Sequence, residues 1–175
     1  MKSSKQHIYF ITGASGVGKT TLVSRLEEKY GKKFDWLFLH FDSIGVPSED
    51  EMKAIYGSGE NWQREMTHLW IQKMLTEYRD KRVVIIEGQV NLYFIKEGFE
   101  EYNFVDYTTI LFDCNKIVMQ ERLVNNRMQP ELATEQMENW RNLLREQAQT
   151  QGVDIIDTSE LSKEESVIAF EKILL

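Results

Sequence analysis

Residues 7–20 read HIYFITGASGVGKT. The run His7–Thr12 is β-branched and aromatic almost throughout, which predicts a short strand buried on both faces. It leads without a linker into Gly13, Gly16 and Gly18, then Lys19 and Thr20. Glycine adopts positive φ at no steric cost, so successive N–H groups of such a turn can converge on one anion. A helix predicted from Gly18 to Tyr30 adds the positive end of its dipole to the same spot. Gly13, Gly18, Lys19 and Thr20 satisfy the spacing G-x-x-x-x-G-K-[ST]. In that arrangement the cradle comprises Gly13, Ala14, Ser15, Gly16, Val17, Gly18, Lys19, Thr20 and Thr21. Lys19 reaches the β- and γ-phosphates of a nucleotide, and the Thr20 hydroxyl ligates Mg²⁺.

Working outward, four more strand-like segments appear: Asp35–Phe41, Arg82–Glu87, Tyr107–Phe112 and Val153–Asp157. Segments with helical spacing lie between them: Glu60–Asp80, Lys116–Arg127, Thr134–Gln151 and a last one over Lys163–Leu174, opened by a Ser162/Glu165 capping box. Trp62, Met66, Leu69, Trp70, Met74 and Tyr78 recur at three or four and predict a core face. Residues 91–103, acidic and aromatic, receive no role. Strands alternating with helices predict a parallel sheet covered on both faces, an α/β/α architecture, with ligands beyond the carboxyl ends of the strands.

Those ends supply the remaining candidates. Asp42 closes the second strand and is suited to accept a proton from an acceptor hydroxyl or to hold Mg²⁺ through water. His40, two residues earlier, is read as a packing residue. Glu87 ends VVIIEG and is suited to orient Mg²⁺ or its water. Arg122 and Arg127 end the helix after the fourth strand and offer forked donors to phosphate oxygens. Arg141 and Arg145, one turn apart, read as a solvated face. Cys114 is the only cysteine, reads as a small buried residue and excludes an internal disulfide.

The chain of 175 residues suits one domain, with 42% hydrophobic and 28% charged residues. A net charge of −7 argues against a broad nucleic-acid-binding surface. No stretch has the length of a membrane span, and the expected location is the cytoplasm. The sequence leaves the oligomeric state open.

Taken in order, these features resemble the small P-loop kinases: the adenylate-kinase-like, gluconate- and shikimate-kinase-like enzymes and chloramphenicol phosphotransferase. GASGVGKT resembles their phosphate loop and FDSIG their second-strand acid. DCNKIVMQERLVNNR resembles the approach to their mobile lid, here about 122–145, and IIDTSELSKEES the last strand and helix near the adenine. The resemblance implies a five-stranded sheet of order 2-3-1-4-5 and transfer of the γ-phosphoryl group of ATP·Mg²⁺ to a small acceptor, a hydroxyl or a nucleoside or nucleotide. Lys19, Asp42, Arg122 and Arg127 would be catalytic, and Thr20 and Glu87 would serve the metal. Residues 87–91, EGQVN, differ from the DGFPR of adenylate kinases, and no triple glycine follows the third strand, so the acceptor stays open. Two other readings compete with this one. Asp42–Gly45 fits D-x-x-G and Asn115–Lys116 begins N-K-x-D, as in GTPases, but position 118 is valine and only one helix and one strand fit between Thr20 and Asp42. A regulatory nucleotide-binding protein without transfer activity is the other.

Overall fold

The structure, a computed structural model, describes residues 5–174. Five strands form one parallel sheet in the order β2-β3-β1-β4-β5: β1 His7–Thr12, β2 Trp36–His40, β3 Val83–Gly88, β4 Tyr107–Asp113 and β5 Asp154–Asp157. The predicted strands, sheet and order all appear, with ends shifted by a residue or so. Side chains alternate along each strand, so β1 sends Ile8 and Phe10 to one face and Tyr9 and Ile11 to the other.

Each face has its own core. Tyr9, Ile11, Ile85, Ile110 and Phe112 pack with α1 (Lys19–Tyr30), α5 (Lys116–Glu121) and α7 (Lys163–Glu171). Ile8, Phe10, Val84, Ile86 and Leu111 pack with α3 (Gly59–Thr76), α4 (Leu92–Glu101) and α6 (Glu135–Gln151). The result is the expected three layers.

Two helices have no counterpart in the sequence reading. The short α2 (Glu49–Tyr56) starts at a reciprocal Ser48/Glu51 capping box and has no buried residue, so no apolar stripe announces it. Helix α4 occupies 92–101, part of the stretch left without a role. Its acids face outward while Leu92, Ile95 and Phe99 are buried. Gly98 lets α3 come close: a Cβ there would lie 2.5 Å from Ile71 Cδ1. The helix predicted over Lys116–Arg127 also differs, because α5 ends at Glu121 and Arg122–Asn126 form a π turn, closed by Arg127 N–H to Arg122 C=O at 2.9 Å.

Candidate active site

The phosphate-binding turn lies where β1 passes into α1, and its geometry follows from its glycines. A Cβ on Gly13 would sit 2.3 Å from the Phe112 carbonyl oxygen of β4, so the turn hugs the neighbouring strand. Gly18, with φ +102°, caps α1. The first α1 bond is Leu22 N–H to Gly18 C=O at 3.0 Å. The amides of residues 19–21 therefore precede the helical ladder and supply N–H groups for an anion. Lys19 is buried. Its ammonium donates to the carbonyls of Gly13 (2.8 Å) and Ala14 (3.0 Å), bracing the turn that its charge serves. Burial pulls the Lys19 pKa down to about 8; Glu87 opposes this, Arg127 adds to it and Asp42 opposes it. The charges of Glu87, Asp42 and Arg127 thus all act on one ammonium.

The carboxylate of Glu87 joins three elements. Its Oε1 accepts from Thr20 Oγ1 at 3.2 Å and from His40 Nδ1 at 2.8 Å. The β2–β3 register sets His40 opposite Glu87. His40 is thus partly exposed and holds the acid, where a packing role was expected. A hydroxyl and a carboxylate in contact are hard oxygen donors of the kind Mg²⁺ takes alongside phosphates, so this pair fits the metal implied by the sequence. Asp42 lies exposed in the short turn Phe41–Ile44 after β2. That turn is fixed from behind by Trp70 Nε1, which donates to the Phe41 carbonyl at 3.0 Å, and by Gly88, where a Cβ would meet Phe41 Cβ at 2.5 Å.

Arg122 and Arg127 part company. Arg122 reaches back to the Thr158 hydroxyl (2.8 Å) and carbonyl (2.7 Å), and Thr158 Oγ1 also donates to Val17 C=O at 2.9 Å. It ties the phosphate turn to the loop after β5. Arg127, past the π turn, is exposed and lines the same cavity as the turn. That cavity, about 640 Å³, runs from Gly16–Leu22 past Arg122 and Arg127 to Thr158–Lys163.

Arg141 and Arg145 do not form a solvated face. The buried Asp113 carboxylate, at the end of β4, pairs with both: Oδ2 accepts from Arg145 Nε at 2.5 Å, and Arg141 Nη1 lies 3.6 Å from Oδ1 while donating to Cys114 C=O at 2.7 Å. A strand-end acid needs a counter-charge once buried, and α6 brings two. Cys114 is fully buried, and burial raises its thiol pKa to about 11, so it is unreactive.

A second cavity of about 610 Å³ escaped the sequence reading. Gln63 of α3, Gln89 after β3, and Leu132, Met137, Trp140 and Leu143 around and within α6 contribute to its wall. It touches the phosphate turn through Gln89, whose Oε1 accepts from Ser15 Oγ at 2.9 Å. Its only sequence signal was EGQVN itself, which departs from the DGFPR of adenylate kinases everywhere but at Gly88, Gln89 included.

Sheet order and the glycine-rich turn after β1 together match the P-loop NTPase architecture. The profile of the AAA domain family matches residues 10–141, and the chain belongs to that family. Solved structures agree over nearly the whole chain. The shikimate kinase from Acinetobacter baumannii, determined with shikimate, superposes with a TM-score of 0.64 at 14% identity, covering 98% of this chain and 94% of that one. The shikimate kinase from Bacteroides thetaiotaomicron gives 0.65 at 21% identity, covering 96% and 98%. At these identities the likeness concerns the fold. No curated protein matches the sequence significantly. Among the described residues, no helix is long and apolar enough to cross a membrane.

Proposed function

We propose that the protein transfers the γ-phosphoryl group of ATP to a hydroxyl of a small molecule. The observation that carries this reading is a pair of cavities linked through one turn by the Ser15–Gln89 hydrogen bond. One holds Lys19, Thr20 and Arg127; the other begins at Gln89, bonded to Ser15. A phosphate held by the turn would have room for a nucleotide on one side and an acceptor on the other. Water-excluding closure of the segment before α6, 122–134, over both would favour transfer over hydrolysis, while α6 stays anchored through Leu144, Arg141 and Arg145.

In such a transfer the protein contributes position and charge. The turn amides and the Lys19 ammonium bind the β- and γ-phosphates, and Lys19 exchanges its two carbonyl partners for phosphate oxygens. Arg127 adds a fork to the transferring group, and Arg122 keeps the turn docked on Thr158. Asp42 orients the acceptor hydroxyl and takes its proton. Thr20 and Glu87 would hold Mg²⁺, with His40 fixing the Glu87 carboxylate; the ion, when bound, neutralises charge across the β- and γ-phosphates. The test is ADP release from ATP·Mg²⁺ with and without a panel of hydroxyl acceptors. Acceptor-dependent turnover with a phosphorylated product is expected. Steady hydrolysis indifferent to every acceptor would move the chain to the GTPase-like or regulatory readings.

A further inference from the structure

The second cavity has a chemistry of its own. Leu132, Met137, Trp140 and Leu143 give it an apolar wall. Among the described residues that line it, none is Lys, Arg or His, and Glu131 is the sole ionisable group. The absence of positive charge is not for want of arginines nearby. Gln63 is followed by Arg64, and Trp140 by Arg141. Arg64 turns to the other side of α3, where it forms a two-pronged pair with Glu97 of α4. Arg141 and Arg145 are committed to Asp113. Each guanidinium on the helices flanking the cavity is thus already neutralised elsewhere. The amides are partly committed too. Gln63 Nε2 donates to Gln89 C=O at 3.0 Å, and its Oε1 accepts from Asn91 N–H at 2.9 Å, which shapes the loop 89–91 into a fixed rim.

An anionic acceptor closed into such a site would lose its hydration and gain no counter-charge, beside a glutamate of the same sign. A flat apolar body suits the Trp140, Met137 and Leu143 wall, and a few neutral polar groups suit the amides of Gln89, Gln136 and Asn139. We propose that the acceptor is an uncharged hydroxyl compound with a flat or apolar body, of the chemical type of a nucleoside or a polyol ester, and that the site excludes carboxylates and phosphates. This deepens the phosphotransferase reading and rests on it for the role of the cavity.

The experiment uses matched pairs that differ only in charge: uridine against uridine 5′-monophosphate, and shikimate methyl ester against shikimate. Binding to the full chain is measured by titration calorimetry, free and with a non-hydrolysable ATP analogue filling the nucleotide pocket. The uncharged member of at least one pair is expected to bind at least tenfold more tightly than its charged partner. Gln136→Arg, which places a cation on the exposed side of α6 at the cavity, is expected to narrow or reverse that preference. Charged members binding as tightly as the uncharged ones, or neither uncharged compound binding at millimolar concentration, overturns the proposal. Phosphoryl transfer is scored separately with ³¹P NMR. An uncharged compound that binds in the expected order but is never phosphorylated removes the kinase reading and leaves the binding preference standing.

Discussion

The two cavities at the phosphate turn are built in opposite ways. The side lined by Gly16–Leu22 is made by backbone and charge: glycines that bring amides inward, a buried ammonium, a half-buried arginine locked on Thr158 and an exposed one at Arg127, unpaired among the described residues. The other side is made by apolar side chains and neutral amides, its neighbouring arginines paired away. Under the proposed function the first would bind a polyanion whose identity is fixed by chemistry. The second would have only shape and solvation with which to choose, and those vary freely between relatives of one fold.

The sharpest way to break this contrast is Lys19→Ala. It is expected to lower kcat by roughly a thousandfold or more and to erase the thermal shift given by ATP, while leaving binding in the second cavity intact. Near-normal turnover in a coupled ADP assay would remove the nucleotide half. On the other side, Asp113→Asn leaves Arg141 buried without its counter-charge and loosens α6, and is expected to cost about 3 kcal/mol in urea unfolding. A change within a few tenths would show that the arginine pair does not hold the acceptor wall. Asp42→Asn probes the exposed acid whose charge acts on Lys19. It is expected to reduce kcat about a hundredfold with ATP affinity unchanged; lost ATP affinity would reassign Asp42 to the metal.

Arg127→Ala is expected to lower kcat about ten- to thirtyfold with the melting temperature unmoved, whereas Arg122→Ala lowers both, since only Arg122 braces the turn. Equal effects on stability would erase the distinction between them. The smallest effect is on pH. With its pKa held near 8, Lys19 loses its proton as pH rises through that value, so ATP affinity is expected to fall by up to about tenfold per pH unit above it. In the nucleotide-free protein the sign reverses. The unfolded chain binds the extra proton between about pH 8 and Lys19's ordinary value, so stability rises with pH across that window. Calorimetric titrations of ATP and melting curves at pH 7, 8 and 9 check both.

The contrast also explains what the sequence disclosed. The phosphate turn was legible because its parts are covalently adjacent: three glycines, a lysine and a threonine within eight residues have few other uses. Asp42 and Glu87 were legible because buried strands end visibly and the crevice lies at those ends. The acceptor cavity gathers residues 63, 89 and 131–143, which no spacing links, and its members are ordinary core and amide residues. Arg141 and Arg145 looked solvated because their partner, Asp113, lies 28 and 32 residues away in the chain. Helix α4 hid because its outward acids and aromatics masked Leu92, Ile95 and Phe99.

The π turn at Arg122–Asn126 has a consequence for how this segment tolerates length change. An α-helix advances about 100° per residue, and the π turn absorbs one residue that an α-helix would not hold. Removing a single residue such as Val124 would let the segment rewind into regular helix with both arginines retained. The second guanidinium would then leave by nearly the same side, because five residues through a π turn and four through an α turn each complete about one turn. Two chains that differ by one residue between these arginines can therefore still aim them alike, and a gap there carries less meaning than a substitution at either arginine.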